Sequence, residues 1–126
     1  MTEIVKLADL KSALSRLKEG LGETRDRLDK DGVIQRFEFT FELLWKTLQE
    51  YARFKGLEVA SPRDAFRVSA DLGIVENPNV WFDFIKDRNL TTHIYSESEA
   101  EKIFSHIPSF VRETEKVIFK IETEDK

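Results

Sequence analysis

Leu7, Leu10, Leu14, Leu17 and Leu21 recur at alternating steps of three and four, which puts five leucines on one stripe of a first amphipathic helix. Gly20 and Gly22 offer stopping points, and the polar run from Thr24 to Asp31 reads as a connection or a weak helical extension. A second helix is expected from Asp31, as N-cap, to Lys55, where Gly56 can supply a left-handed residue just past the end. Its stripe is Ile34, Phe37, Phe41, Leu44, Leu48 and Tyr51. At 1.5 Å per residue, about 25 residues of helix extend roughly 37 Å. Phe39, Leu43, Trp45 and Phe54 lie off that stripe. A helix that is apolar on more than one side belongs at the centre of a bundle or in an interface.

Two shorter helices follow. Ser61-Pro62-Arg63-Asp64 places serine at the N-cap, proline at the first helical position and an acid two residues later, ahead of Ala65, Phe66, Val68 and Leu72. Gly73 is the expected stop. Asn77-Pro78 repeats the arrangement before Val80, Trp81, Phe84 and Ile85. The last helix opens in Ser96-Glu97-Ser98-Glu99-Ala100-Glu101, which holds two overlapping capping boxes. Ala100, Ile103, Ile107, Phe110, Thr114, Val117 and Ile121 form its stripe, flanked by Phe104, Val111 and Ile118, and the charged tail from Glu122 to Lys126 is expected to fray. No alternating strand pattern and no internal repeat is visible. The pattern therefore predicts an all-α, antiparallel up-and-down bundle of three long helices and about two short ones. Its apolar faces are wide enough to pair with a second copy.

Composition narrows the function more than the fold. The 126 residues include ten phenylalanines, enough aromatic mass for a real core, and the length fits one domain. Twenty basic residues against 24 acidic ones give a net charge of −4, so binding nucleic acid through bulk charge is excluded and any RNA contact must be local. Cysteine is absent, which removes disulfides, thiolate nucleophiles and cysteine-type zinc sites and fits a cytoplasmic setting. The charged N-terminus lacks the apolar core of a signal peptide, and no run of 18 apolar residues is present to span a membrane.

Phosphate-loop, dinucleotide-binding, Ser-His-Asp and zinc-helix motifs are missing, and neither a metal nor a cofactor is expected. One stretch stands out: Arg88-Asn89-Leu90-Thr91-Thr92-His93-Ile94-Tyr95. An arginine can hold two phosphate oxygens and stabilise the added charge of a phosphorane-like transition state. A histidine can move the proton of a ribose 2′-hydroxyl or of a leaving 5′-oxygen. In-line cleavage benefits from both an acid and a base, and a two-fold dimer would bring two copies of His93 together. The alternative reading is structural: Arg88 caps the fourth helix, His93 bonds a backbone carbonyl and Tyr95 anchors the next turn. His106 falls off the last stripe and reads as a solvated surface residue. Glu38, Glu42 and Lys46, spaced four apart, read as helix-surface pairs or as the lining of a functional groove. Trp45 and Trp81 read as core or interface residues.

The run Gly32-Val33-Ile34-Gln35-Arg36-Phe37-Glu38-Phe39-Thr40-Phe41-Glu42-Leu43-Leu44-Trp45-Lys46 resembles the signature helix of the nucleotidyltransferase substrate-binding protein family, small HEPN-domain proteins typically encoded beside a minimal nucleotidyltransferase. Ser61-Pro62-Arg63, Ala65-Phe66-Arg67, Gly73-Ile74-Val75, and Trp81 leading into Asp87-Arg88-Asn89 with His93 and Tyr95 extend the resemblance, in order, over nearly the whole chain. It implies a single HEPN-like bundle domain over residues 1–126 that dimerises and binds its nucleotidyltransferase partner. It also implies a metal-independent ribonuclease of the toxin–antitoxin type, with RNA as substrate. Arg88 would bind the phosphate, Asn89 would orient the pair and His93 would act as acid or base. Tyr95 stands where the partner attaches AMP to the toxin. The alternative within the family is a non-catalytic subunit that binds substrate for a separate nucleotidyltransferase.

Overall fold

The computed structural model describes residues 4–93 and 96–124. Five α-helices occupy them: α1 Leu7–Glu23, α2 Arg27–Phe54, α3 Pro62–Asp71, α4 Pro78–Leu90 and α5 Glu97–Glu124, with a single 3₁₀ turn at Thr91–His93. No strand occurs among the described residues. The three long and two short helices are those the hydrophobic periodicity predicts.

The ends follow their capping residues. Ser61 and Asn77 accept from the backbone N–H groups of Asp64 and Asn79, and Ser96 Oγ accepts from the Glu99 N–H. α2 and α3 both close in Schellman turns. Leu57 N–H donates to the Ala52 carbonyl across Gly56, and Ile74 N–H to the Ser69 carbonyl across Gly73. Both glycines hold φ near +80°, at 83° and 79°, which a side chain would strain.

Three expectations about ends are corrected. α1 does not stop at Gly20 or Gly22 but runs through both to Glu23. Gly20 instead lets α1 and α2 approach, since a Cβ there would come within 3.2 Å of Val33 Cγ2. α2 begins one turn before Asp31, capped by Asp26, whose carboxylate accepts from the Asp29 N–H while Asp29 accepts from the Arg25 N–H. The tail remains helical to Glu124, tied down by the buried Ile121 and by a Lys11–Glu122 ion pair at 2.8 Å.

α2 sits at the centre and touches every other element. The pairs Lys11–Glu122 and Lys18–Glu115 show α1 running antiparallel to α5. Thr40 and Arg36 reach back to the carbonyls of Ala13 and Arg16, so α1 is antiparallel to α2 as well. The short helices return the chain, which leaves α5 beside α2 in the same direction. Between them lies an aromatic core: Phe66 stacks on Trp81 with centroids 4.7 Å apart, and Phe110 meets Phe37 at 4.8 Å and Phe84 at 5.4 Å edge-on. Edge-to-face and offset-stacked pairs add to the burial of the rings themselves. This packing fixes α4 against α2 and α5, and α4 carries the candidate chemistry.

Candidate functional site

Arg88 lies in the last turn of α4, and its side chain does not cap that helix. The helix end is closed by Thr91, whose N–H donates to the Asp87 and Arg88 carbonyls and whose hydroxyl donates to the Arg88 carbonyl at 2.6 Å. The guanidinium instead crosses to α2, where Nη2 donates to Glu42 Oε1 at 3.3 Å. The second carboxylate oxygen of Glu42 accepts from Trp45 Nε1 at 3.2 Å and has Lys46 Nζ at 3.8 Å. Glu42 thus joins three donors from its own helix and α4. The i, i+3 and i, i+4 spacing on α2 made that convergence possible. Arg88 Nε is buried without a partner among the described residues. A buried donor left unpaired is costly.

That groove has a volume of about 880 Å³. Gly32, Gln35, Phe39 and Glu42 of α2 line it together with Arg16 of α1 and Arg88 of α4. Both readings of Glu38, Glu42 and Lys46 hold in part: Glu42 and Lys46 form a helix-surface pair, and Glu38 and Glu42 line the groove.

Asn89 is exposed at the end of α4, and its carbonyl accepts from Thr92 Oγ1 at 2.9 Å. His93 ends the 3₁₀ turn with its side chain exposed, so its imidazole is open to solvent. α4 and this turn form one continuous path, which sets His93 a turn and a half beyond Arg88. Tyr95 lies outside the described residues.

A second polar pair occupies the other side of α4. Asp87 is 5% exposed, and its Oδ2 lies 2.8 Å from His106 Nδ1 on α5. His106 is therefore half-buried and paired, which corrects its reading as a solvated residue. Burial pushes the Asp87 carboxyl above its ordinary value, with Asp83 adding to the rise; the His106 hydrogen bond and charge and the Lys102 charge pull the other way. The sequence carried one signal for this pair, a charged residue three positions after Phe84 on the buried side of α4. Its partner, 19 residues away on another helix, left none.

Among the described residues no cluster of three His, Asp or Glu side chains is placed to hold a metal ion, and no helix is long and apolar enough to cross a membrane.

A family model described as nucleotidyltransferase substrate binding protein like matches residues 5–123. The chain belongs to that family. A Thermus thermophilus protein of known structure is 38% identical, with 88% of this chain and 97% of that one covered at a TM-score of 0.83. Two further structures share the fold. One, from Haemophilus influenzae, is described as revealing the fold of a substrate-binding domain of a nucleotidyltransferase; it is 21% identical over 92% of this chain and 98% of its own, with a TM-score of 0.83. The other is a tri-AMPylated Shewanella oneidensis HEPN toxin in complex with its MNT antitoxin, 20% identical over 98% and 99%, with a TM-score of 0.79. A curated relative from Haemophilus influenzae, named Probable ribonuclease HepT, is 26% identical over 88 residues. That match spans 66% of this family member and 60% of the length of the relative.

Proposed function

We propose that this chain is the HEPN component of a two-gene module with a minimal nucleotidyltransferase, forms one domain over residues 1–126, and cleaves RNA without metal. The observation that carries the reading is Arg88, which lines a groove beside its partner Glu42 and stands on the same helical path as the exposed His93. The relative named as a ribonuclease and the structural neighbour bound to an antitoxin support the same reading. Arg88 binds and polarises the scissile phosphate. A ribose 2′-oxygen attacks the adjacent phosphorus and gives its proton to a base, while the departing 5′-oxygen takes one from an acid. His93 serves in one of these roles, the His93 of a second copy in the other, and Asn89 supports their placement. The products are a cyclic phosphate and a free 5′-hydroxyl.

Tyr95 is the position at which the nucleotidyltransferase would attach AMP, a group whose added negative charge would oppose phosphate binding. The second reading, a non-catalytic subunit holding substrate for the nucleotidyltransferase, draws on the family description and on the neighbour described as a substrate-binding domain.

The deciding experiment is RNA cleavage in EDTA, without partner, by the wild type and by Arg88→Ala and His93→Ala. Cleavage lost in both variants upholds the ribonuclease. A pure wild-type protein that cuts no RNA leaves the binding-subunit reading. Incubation of the pair with ATP should add the mass of AMP to the wild type but not to Tyr95→Phe.

A further inference from the structure

The groove that holds Arg88 continues past it. Gly32, Gln35, Phe39 and Glu42 follow at steps of three, four and three, so they form one line about 15 Å long on α2. Three arginines from three helices reach this line: Arg16 of α1, Arg36 of α2 and Arg88 of α4. Arg36 is held in place, because its Nη1 donates to the Arg16 carbonyl at 2.7 Å. Its guanidinium lies over Gly20, where a Cβ would come to 3.0 Å from the same nitrogen. The missing side chain on α1 is what seats it.

Two other features have no explanation in the protein's own packing. Phe39 is 59% exposed in the groove, although it stands on the most buried helix of the bundle. Gly32 lies inside α2, where glycine weakens a helix, yet a Cβ there would meet nothing within 4 Å. A ligand that approaches the helix backbone closely accounts for the glycine, and a planar ring stacked on Phe39 accounts for the phenyl. Cations tracking a backbone beside an aromatic platform is the arrangement by which proteins hold single strands without reading sequence.

We propose that this groove is a binding tract for single-stranded RNA, in which Arg16 and Arg36 hold the phosphates flanking the one at Arg88 and Phe39 stacks a base. The assignment of Arg88 to the scissile phosphate rests on the ribonuclease reading above; the tract itself rests on the groove. Glu42 is already paired with Arg88, and Glu38 opposes the remaining arginines, so affinity is modest and falls with added salt. A free nucleoside triphosphate presents the same chemistry of phosphates beside a base. Cations spread along about 15 Å of helix suit a linked chain better than one compact triphosphate.

The test uses the full chain and a fluorescent single-stranded oligodeoxynucleotide, which lacks the 2′-hydroxyl and survives the experiment uncut. Binding is followed by anisotropy over a salt series. Three phosphate contacts predict a slope of log K against log salt of about −2, and Arg16→Ala and Arg36→Ala should each flatten it by about 0.7. Phe39→Ala should weaken binding at least about fivefold on every sequence, and Phe39→Trp should retain it. Gly32→Ala should weaken binding while raising the melting temperature by about 2–5 °C, a combination that misfolding cannot produce. Wild-type binding by the Arg16, Arg36 and Phe39 variants overturns the tract, and RNA cleavage dependent on Arg88 and His93 in the same samples would leave the ribonuclease reading standing. Oligonucleotide binding dependent on these residues, without any RNA cleavage, upholds the tract and removes that reading. ATP that competes at micromolar concentration assigns the groove to a free nucleotide and overturns the proposal. So does a Phe39→Ala variant that loses only self-association, which would assign this face to a second copy.

Discussion

Replacing Glu42 separates two roles that the structure gives to one carboxylate. Glu42 Oε1 is 3.3 Å from Arg88 Nη2, and the two side chains are 37% and 28% exposed. At an effective dielectric near 20 the Coulomb attraction is about 5 kcal/mol, but desolvation and side-chain ordering reduce the net value of so exposed a pair to about 1 kcal/mol. In Glu42→Gln only one terminal oxygen remains to accept. Arg88 donates to one position and Trp45 to the other, so one of them faces an amide N–H₂. The expected loss of folding stability is therefore about 1–1.5 kcal/mol by urea unfolding. Binding should move the other way. A phosphate at Arg88 competes with Glu42, and removing a competitor held by about 1 kcal/mol raises affinity about fivefold. Catalysis should fall with Glu42→Gln, because Glu42 also orients the guanidinium, so tighter oligonucleotide binding should accompany slower RNA cleavage. The cycle closes with Arg88→Ala, in whose background Glu42→Gln should no longer change binding. Weaker oligonucleotide binding by Glu42→Gln, or an unchanged effect in the Arg88→Ala background, would refute the competition.

Two further outcomes test the interior. The raised Asp87 carboxyl means that the folded protein holds this proton more tightly than the unfolded chain does, so the group's contribution is greatest at low pH and is lost as pH rises through the folded value. Asp87→Asn keeps an acceptor for His106 and cannot ionise, so its stability relative to wild type should increase from pH 4 to pH 7 in urea unfolding; a decrease would mean that the ion pair with His106 outweighs the burial. Thr114 is fully buried on the α5 stripe, and its hydroxyl has no partner among the described residues. Thr114→Val keeps the shape and removes that hydroxyl, so it should add about 1 kcal/mol and raise the melting temperature by about 3–5 °C; a lower melting temperature would show that the hydroxyl is satisfied.

What could be read from the sequence was what periodicity encodes. The stripes of α2 and α5 were legible because burying them is what holds those helices in place, and Ser61, Asn77, Gly56 and Gly73 were legible because caps obey local stereochemistry. The first turn of α2 was not, because Leu28 is 79% exposed and no apolar repeat marks it; only the Asp26 cap does. Gly20 was misread for a related reason, since a glycine that ends a helix and one that admits a neighbouring helix look alike in one dimension. Arg88 and His93 were found by chemical type. Of the residues that line the groove with Arg88, Glu38 and Glu42 were marked by their spacing, but Arg16 and Arg36 were not, because they lie off their stripes and their meeting depends on how α1 crosses α2.

The consecutive residues Asp87 and Arg88 explain how the last turn of α4, beyond the aromatic core, keeps a defined geometry. Neighbours on a helix point about 100° apart, so the two side chains cannot serve the same site. Asp87 reaches α5 through His106, and Arg88 reaches α2 through Glu42. The last turn of α4 is thereby held from two directions immediately before the 3₁₀ turn that carries His93. Neither contact is strong by itself, since one is partly exposed and the other sets a hydrogen bond against the burial of a carboxylate. Their value lies in direction: Trp81 and Phe84 hold the body of α4, and loss of either polar contact loosens only its last turn, which displaces Arg88 relative to the groove while the aromatic core stays intact. Variants at His106 should therefore impair a reaction at Arg88 from the far side of the helix, without entering the groove.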